Sequence, residues 1–151
     1  MTFIEPKLNS VLEKIDHLDE KMQPIWGQMS AQRMIEHLSD TLLLSYTDHK
    51  FPQVIPEEKV HKAQRFIFSD LPMPKNFEVP FASNDIPLRN SNFINAIEEF
   101  KDCWIEFEEY FKTHTEKKTL HPNFGYLSYD QWLRIHSKHV THHLNQFGIN
   151  A

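Results

Sequence analysis

The chain has one cysteine, Cys103, in 151 residues. That excludes an internal disulfide, argues against a thiol–disulfide enzyme and fits a reducing compartment. Glycine is scarce too, at 3 residues, whereas strand-rich folds need more of it at their hairpins. No cluster of Lys and Arg stands out against a formal charge of −5, so the footprint of a nucleic-acid binder is missing. Long apolar runs are absent as well. The longest patch, around "TLLLSY", is far too short to span a bilayer, and "MTFIEPKLNSVLEKIDHLDEKM" carries charges throughout, unlike a secretory signal. These absences predict a soluble, cytoplasmic protein with no nucleic-acid or membrane partner. Its length suits one domain, residues 1–151, that buries its own core.

What is present reads mostly as helix. Leu8, Val11, Leu12, Ile15 and Leu18 recur at helical spacing and predict a first helix from about Glu5 to Met22. Pro24 and Gly27 interrupt it, and Ser30 is placed to cap a second helix, "AQRMIEHLSDTLLLSY". Six of the 9 prolines fall between Pro52 and Pro87 and break the middle into loops around one minor helix, "PEEKVHKAQRFIFS". The long stretch "LPMPKNFEVPFASNDIPL" is expected to be a loop of the kind that covers something. From about Asn90 to His114, Phe93, Ile97, Phe100, Trp104, Phe107 and Phe111 form an aromatic stripe on the longest helix, with Cys103 as a core neighbour. Ser128 and Gln131 make a capping box for a last helix from Tyr129 to Phe147, stopped by Gly148. No strand is expected. The predicted fold class is all-α: a four-helix bundle with a long irregular middle crossover and one minor helix.

The last helix carries His136, His139, His142 and His143. At about 100° per residue, Trp132, Leu133, Val140 and Leu144 share an apolar arc with His136, His139 and His143, while His142 sits at its border. Asp130, Arg134, Ser137, Lys138, Thr141 and Asn145 form the predicted polar face. Three inward imidazoles within two turns are hard to satisfy with neutral partners, and a divalent metal is the economical solution. His139 and His143 have the i, i+4 spacing that converges on one ion. Chance alone supplies about 0.6 pairs at that spacing, so direction and clustering carry the weight. A third ligand must come from another helix, and His37 on the second helix is the best placed. His136 reads as a core histidine, or as one that hydrogen-bonds a ligand. His17, His49, His61, His114 and His121 read as solvated surface residues. A ferritin-like di-iron site needs paired Glu-x-x-His motifs, and only Glu58 to His61 is offered; a zincin needs Glu after its first histidine, where Val140 follows His139.

"WGQMSAQRMIEHLSD" and "HPNFGYLSYDQWLRIHSKHVTHHLNQFG" resemble the DinB/YfiT-like superfamily, in particular a branch of small bacterial proteins with a His-Pro-x-Phe-Gly-x-Leu turn before the last helix. The resemblance runs from about Trp26 to Gly148. It implies a four-helix bundle, commonly a homodimer, holding a divalent metal on three histidines. Ser30 to His37, followed by Leu38, matches the first ligand motif. His139 and His143 match the His-x-x-x-His pair, which relatives often follow with Arg-Gly-Gln. Here Leu144 and Asn145 replace the Arg and Gly, and Gln146 remains. The implied ligands are His37, His139 and His143.

The expected function is therefore a mononuclear metal-dependent enzyme. Its ion (Zn, Ni, Fe or Mn) would activate water or a low-molecular-weight thiol for attack on a small-molecule electrophile, with "FPQVIP" and "LPMPKNFEVPFASND" at the pocket rim. Glu36 lies next to His37 but points about 100° away from it, so no carboxylate is available by sequence as a general base. Two rivals are a metal-stapled helical interaction or dimerisation domain using the aromatic stripe, and a plain bundle with buried histidines.

Overall fold

Residues 2–75 and 86–151 are described by a computed structural model of the chain. Among them run five helices, α1 (Leu8–Ile15), α2 (Ala31–Tyr46), α3 (Glu57–Ile67), α4 (Phe93–Thr113) and α5 (Tyr129–Gln146), and one hairpin, β1 (Thr119–His121) with β2 (Gly125–Leu127). The long helices begin where a side chain meets their first free N–H groups. Ser30 accepts from the Arg33 N–H at 3.1 Å, and Asn92 from the Asn95 N–H at 2.8 Å. Ser128 and Gln131 form the expected reciprocal box. At the far end of α5, Gly148 takes φ +78°; its N–H reaches the Asn145 carbonyl and that of Ile149 the Leu144 carbonyl, which closes the helix.

Helix α2 lies along α4 and also packs on α5, while α1 bridges α4 and α5. Their apolar faces share one core, with Trp104, Phe100, Phe107 and Trp132 its largest members. The mainly helical expectation holds, and the aromatic stripe of α4 is spent inside: Phe93, Phe100, Trp104, Phe107 and Phe111 are buried and Cys103 with them. Among the described residues, no helix is long and apolar enough to cross a membrane.

Four expectations need correction. The first helix is shorter than Glu5 to Met22. After Ile15, the Asp19 carboxylate accepts the Lys21 N–H at 2.8 Å and the Met22 N–H turns back to the Asp19 carbonyl, a local alternative that outcompetes another helical turn. Strands do exist: Thr119 pairs with Leu127, Leu120 with Tyr126 and His121 with Gly125. Three-residue strands are too short to show a period of two. His121 is buried, not solvated; its ring packs against Phe124 and Trp132, and its Nδ1 accepts the Asn123 N–H. Last, the polar face of α5 is largely covered. Ser137 donates to the Ile4 carbonyl, Thr141 Oγ1 accepts the Ile4 N–H at 2.9 Å, and Lys138, at 0 % exposure, donates to the carbonyls of Phe66 (2.7 Å) and Leu71 (2.8 Å). Irregular segments and the last turn of α3 offer free backbone groups, and these side chains supply the partners.

His136 is enclosed by Trp104, Phe107 and Trp132, with Nε2 at 3.3 Å from Ser45 Oγ. Burial above all, then the neighbouring His121, pushes its pKa down to about 3. In the unfolded chain it titrates near ~6.5, so below that pH the unfolded chain takes up a proton that the folded chain refuses. The stability it contributes is full above pH ~6.5 and is lost as the pH falls. Urea unfolding at pH 6.5 and pH 5 should therefore show a stability loss that is smaller in His136→Phe than in the wild type, by about 2 kcal/mol. An identical loss in both would contradict this account.

Candidate metal centre

His37 projects from the middle of α2, and His139 and His143 from successive turns of α5, where the two helices pack. Their Nε2 atoms converge. His139 Nε2 stands 2.9 Å from His37 Nε2 and 3.0 Å from His143 Nε2, and the ligand atoms of all three lie within 4.8 Å of one another. The rings meet nearly at right angles, with centroids 4.6 to 4.8 Å apart. His37 and His143 are buried and His139 is half-buried.

Burial pushes the His37 pKa down to about 4, helped by His142. It holds His139 and His143 well below the ordinary imidazole value, reinforced by the other histidines. All three are neutral at pH 7, which is the form that binds metal. Their hydrogens can then be counted. Gln146 Nε2 donates to the Trp26 carbonyl at 2.9 Å, so Gln146 Oε1 is the atom facing His143 Nδ1 at 2.8 Å. An amide oxygen only accepts, so His143 carries its hydrogen on Nδ1 and its Nε2 is bare. His139 has one hydrogen at most on Nε2, so only one of the two short contacts can be a hydrogen bond. The geometry suits a shared cation better than it suits neutral imidazoles alone. Zn–N bonds of ~2.0–2.1 Å at tetrahedral angles set ligand nitrogens ~3.3 Å apart, close to the two separations from His139 Nε2.

Gln146 stands in the matched run three residues after His143, on the same side of the helix, with no spacing signal of its own for this contact. Its amide is held from outside α5. The Ile25 N–H donates to the Gln146 carbonyl at 2.7 Å, and Gly27 lies so close that a Cβ there would sit 2.7 Å from Gln146 Nε2. Gly27 also takes φ +76°, which L side chains rarely adopt. No spacing rule links residues 25–27 to the last helix.

The other histidines are placed apart from this point. His136 turns its Nε2 to Ser45, in the core. His142 lies beside His143, with ring centroids 4.9 Å apart, and meets the Trp26 indole edge-on. His17, His61 and His114 are exposed, and His49 bonds the Leu120 carbonyl. Glu36 does point elsewhere: its carboxylate accepts from the backbone N–H of Arg89 (2.7 Å) and Asn90 (3.1 Å), and from Asn90 Nδ2 and Gln32 Nε2. Burial works to raise its pKa, but these donors prevail and hold it below the usual value. Arg89 goes on to pair with Asp40 at 2.7 Å and Glu99 at 2.6 Å, which ties its segment to α2 and α4. A cavity of about 460 Å³ runs beside α2, lined by Asp40, Leu43, Leu44, Thr47, His49, Phe51 and Ile86. Of the expected rim, Phe51 lines this cavity, which none of the three triad histidines lines, and residues 76–85 lie outside the described residues.

The molecule is thus a mainly helical protein with three histidines close enough to bind a metal. It belongs to the family described as "Protein of unknown function (DUF1569)", which it matches over residues 3–150. No curated protein and no solved structure matches it significantly.

Gln146 orients His143, so Gln146→Leu should weaken Zn(II) binding about 10- to 100-fold, with the helical circular-dichroism signal kept. Gly27→Ala should weaken it in the same direction by displacing the Gln146 amide. Competition titration against a chelating dye measures both, and unchanged affinity in Gln146→Leu would remove the amide from the site.

Proposed function

We propose that the chain is a mononuclear metal-dependent enzyme of the DinB-like type, with His37, His139 and His143 as the protein ligands. The observation that carries this reading is the meeting of three neutral Nε2 atoms, one with its lone pair directed inward by Gln146. A divalent ion held there (Zn, Ni, Fe or Mn) lowers the pKa of a thiol or water that shares it, making the anion available near neutral pH.

The chain's own residues favour thiol over water. Glu36, the carboxylate adjacent to His37, is engaged by four donors from Gln32, Arg89 and Asn90, so it cannot take a proton from water at the triad. A thiol, with a pKa of ~8.5 against 15.7 for water, needs far less help. The reaction class is then transfer of a low-molecular-weight thiol to a small electrophile, with hydrolysis second. Three protein ligands also leave room for an exogenous one, as in catalytic rather than structural sites, which counts against a purely stapling role. So does the α4 stripe, whose buried rings offer no face for association.

Elemental analysis of the purified chain should find about one divalent ion per molecule, and His139→Ala should lose it. Thiol added to the Co(II)-loaded protein should bring in a sulfur-to-metal charge-transfer band. Protein without stoichiometric metal, whose melting temperature a chelator leaves unchanged, would return the three histidines to the core.

A further inference from the structure

Trp26 stands beside the triad. Its carbonyl holds the Gln146 amide that orients His143, and its indole meets the His142 ring edge-on, with centroids 5.9 Å apart. His142 in turn lies 4.9 Å from the His143 ring. Yet the indole Nε1 of Trp26 is buried and has no hydrogen-bond partner among the described residues. A buried N–H left unpaired destabilises the fold, and an indole nitrogen only donates, so whatever satisfies it must bring an acceptor.

A positive charge stands over the same indole: Lys75 Nζ is 4.3 Å from the ring centroid, and among the described residues no carboxylate pairs with it. The other two indoles differ from this one. Trp132 Nε1 is satisfied by Thr119 Oγ1 at 2.7 Å, and Trp104 sits wholly within the core. An unpaired donor and an unpaired cation on one ring call for an acceptor that is also an anion.

We propose that Trp26 Nε1 and Lys75 Nζ together bind the carboxylate of a small molecule whose other end reaches His37, His139 and His143. The inference deepens the metalloenzyme reading and rests on it for that second end. It names the ligand class as an acid-bearing small molecule, in first place a thiol that carries a carboxylate. The indole N–H gives direction and the ammonium gives charge, so a neutral ligand of the same size is bound less well.

The first test needs no metal. Propionate is titrated into the metal-free protein while the indole N–H signals are followed by NMR, with Trp26→Phe assigning the Trp26 resonance. That resonance should shift saturably while the Trp132 signal stays in place, and Lys75→Gln should raise the dissociation constant about threefold. A Trp26 signal that moves no more than that of Trp132, or that responds equally in Lys75→Gln, overturns the proposal. The second test uses Co(II)-loaded protein and compares 3-mercaptopropionate with 2-mercaptoethanol through the charge-transfer band. The acidic thiol should bind about tenfold more tightly in the wild type and lose that advantage in Trp26→Phe. Equal affinities would separate the anion corner from the triad and overturn the shared-ligand claim. Failure to take up cobalt would instead sink the metalloenzyme reading, and the propionate titration would still decide the carboxylate subsite by itself.

Discussion

Three imidazole nitrogens crowd into a space with too few hydrogens to satisfy them, and much of the molecule is arranged around that constraint. Neutral imidazole offers one donor and one acceptor, and burial keeps all three rings neutral. Gln146 settles which nitrogen of His143 is bare, and the Trp26 carbonyl settles which way Gln146 faces. The order runs from a backbone carbonyl to an amide, to a ring tautomer, to a lone pair directed inward. Each step depends on one group that can only accept or only donate.

The scaffold makes this possible by covering α5 on nearly every side. Helix α2 brings His37 to one side of it. The segment at Phe3 and Ile4 covers another through Ser137 and Thr141, and the end of α3 a third through Lys138. A helix buried to this extent can keep polar groups only if each finds a partner, and the irregular segments and the free carbonyls at the end of α3 supply those partners. The loop at residues 25–27 belongs to the same scheme: Ile25 holds the Gln146 backbone while Gly27 leaves room for its amide. The site is accordingly sensitive to residues that never touch a ligand.

Glu36 shows how one position separates two tasks. Its neighbour His37 faces α5, while Glu36 itself, one residue earlier and about 100° around the helix, anchors Arg89 and Asn90. Arg89 extends the anchor to Asp40 and Glu99, so the stretch entering α4 is tied to the helix that presents His37. A carboxylate committed to four donors is a poor base, which is the structural reason for preferring a nucleophile of low intrinsic pKa.

The sequence by itself determined the long helices, the Ser30 and Ser128 caps and the inward direction of His139 and His143, with His37 only the best-placed histidine of α2. Helical period and capping are local properties, written within a few residues of where they act. It also put Gln146 in view, without a partner to explain it. Only the tertiary structure decided that Ser137, Lys138 and Thr141 are covered, that His121 is buried, that His136 belongs to the core through Ser45, and that Trp26 and Gly27 stand beside the triad. Those facts depend on contacts between segments far apart in the chain, such as Ile4 with Thr141 or Trp26 with Gln146, and no periodicity within a single segment encodes them. A polar side chain looks the same in sequence whether water or a distant carbonyl satisfies it, and the fold alone supplies the carbonyl.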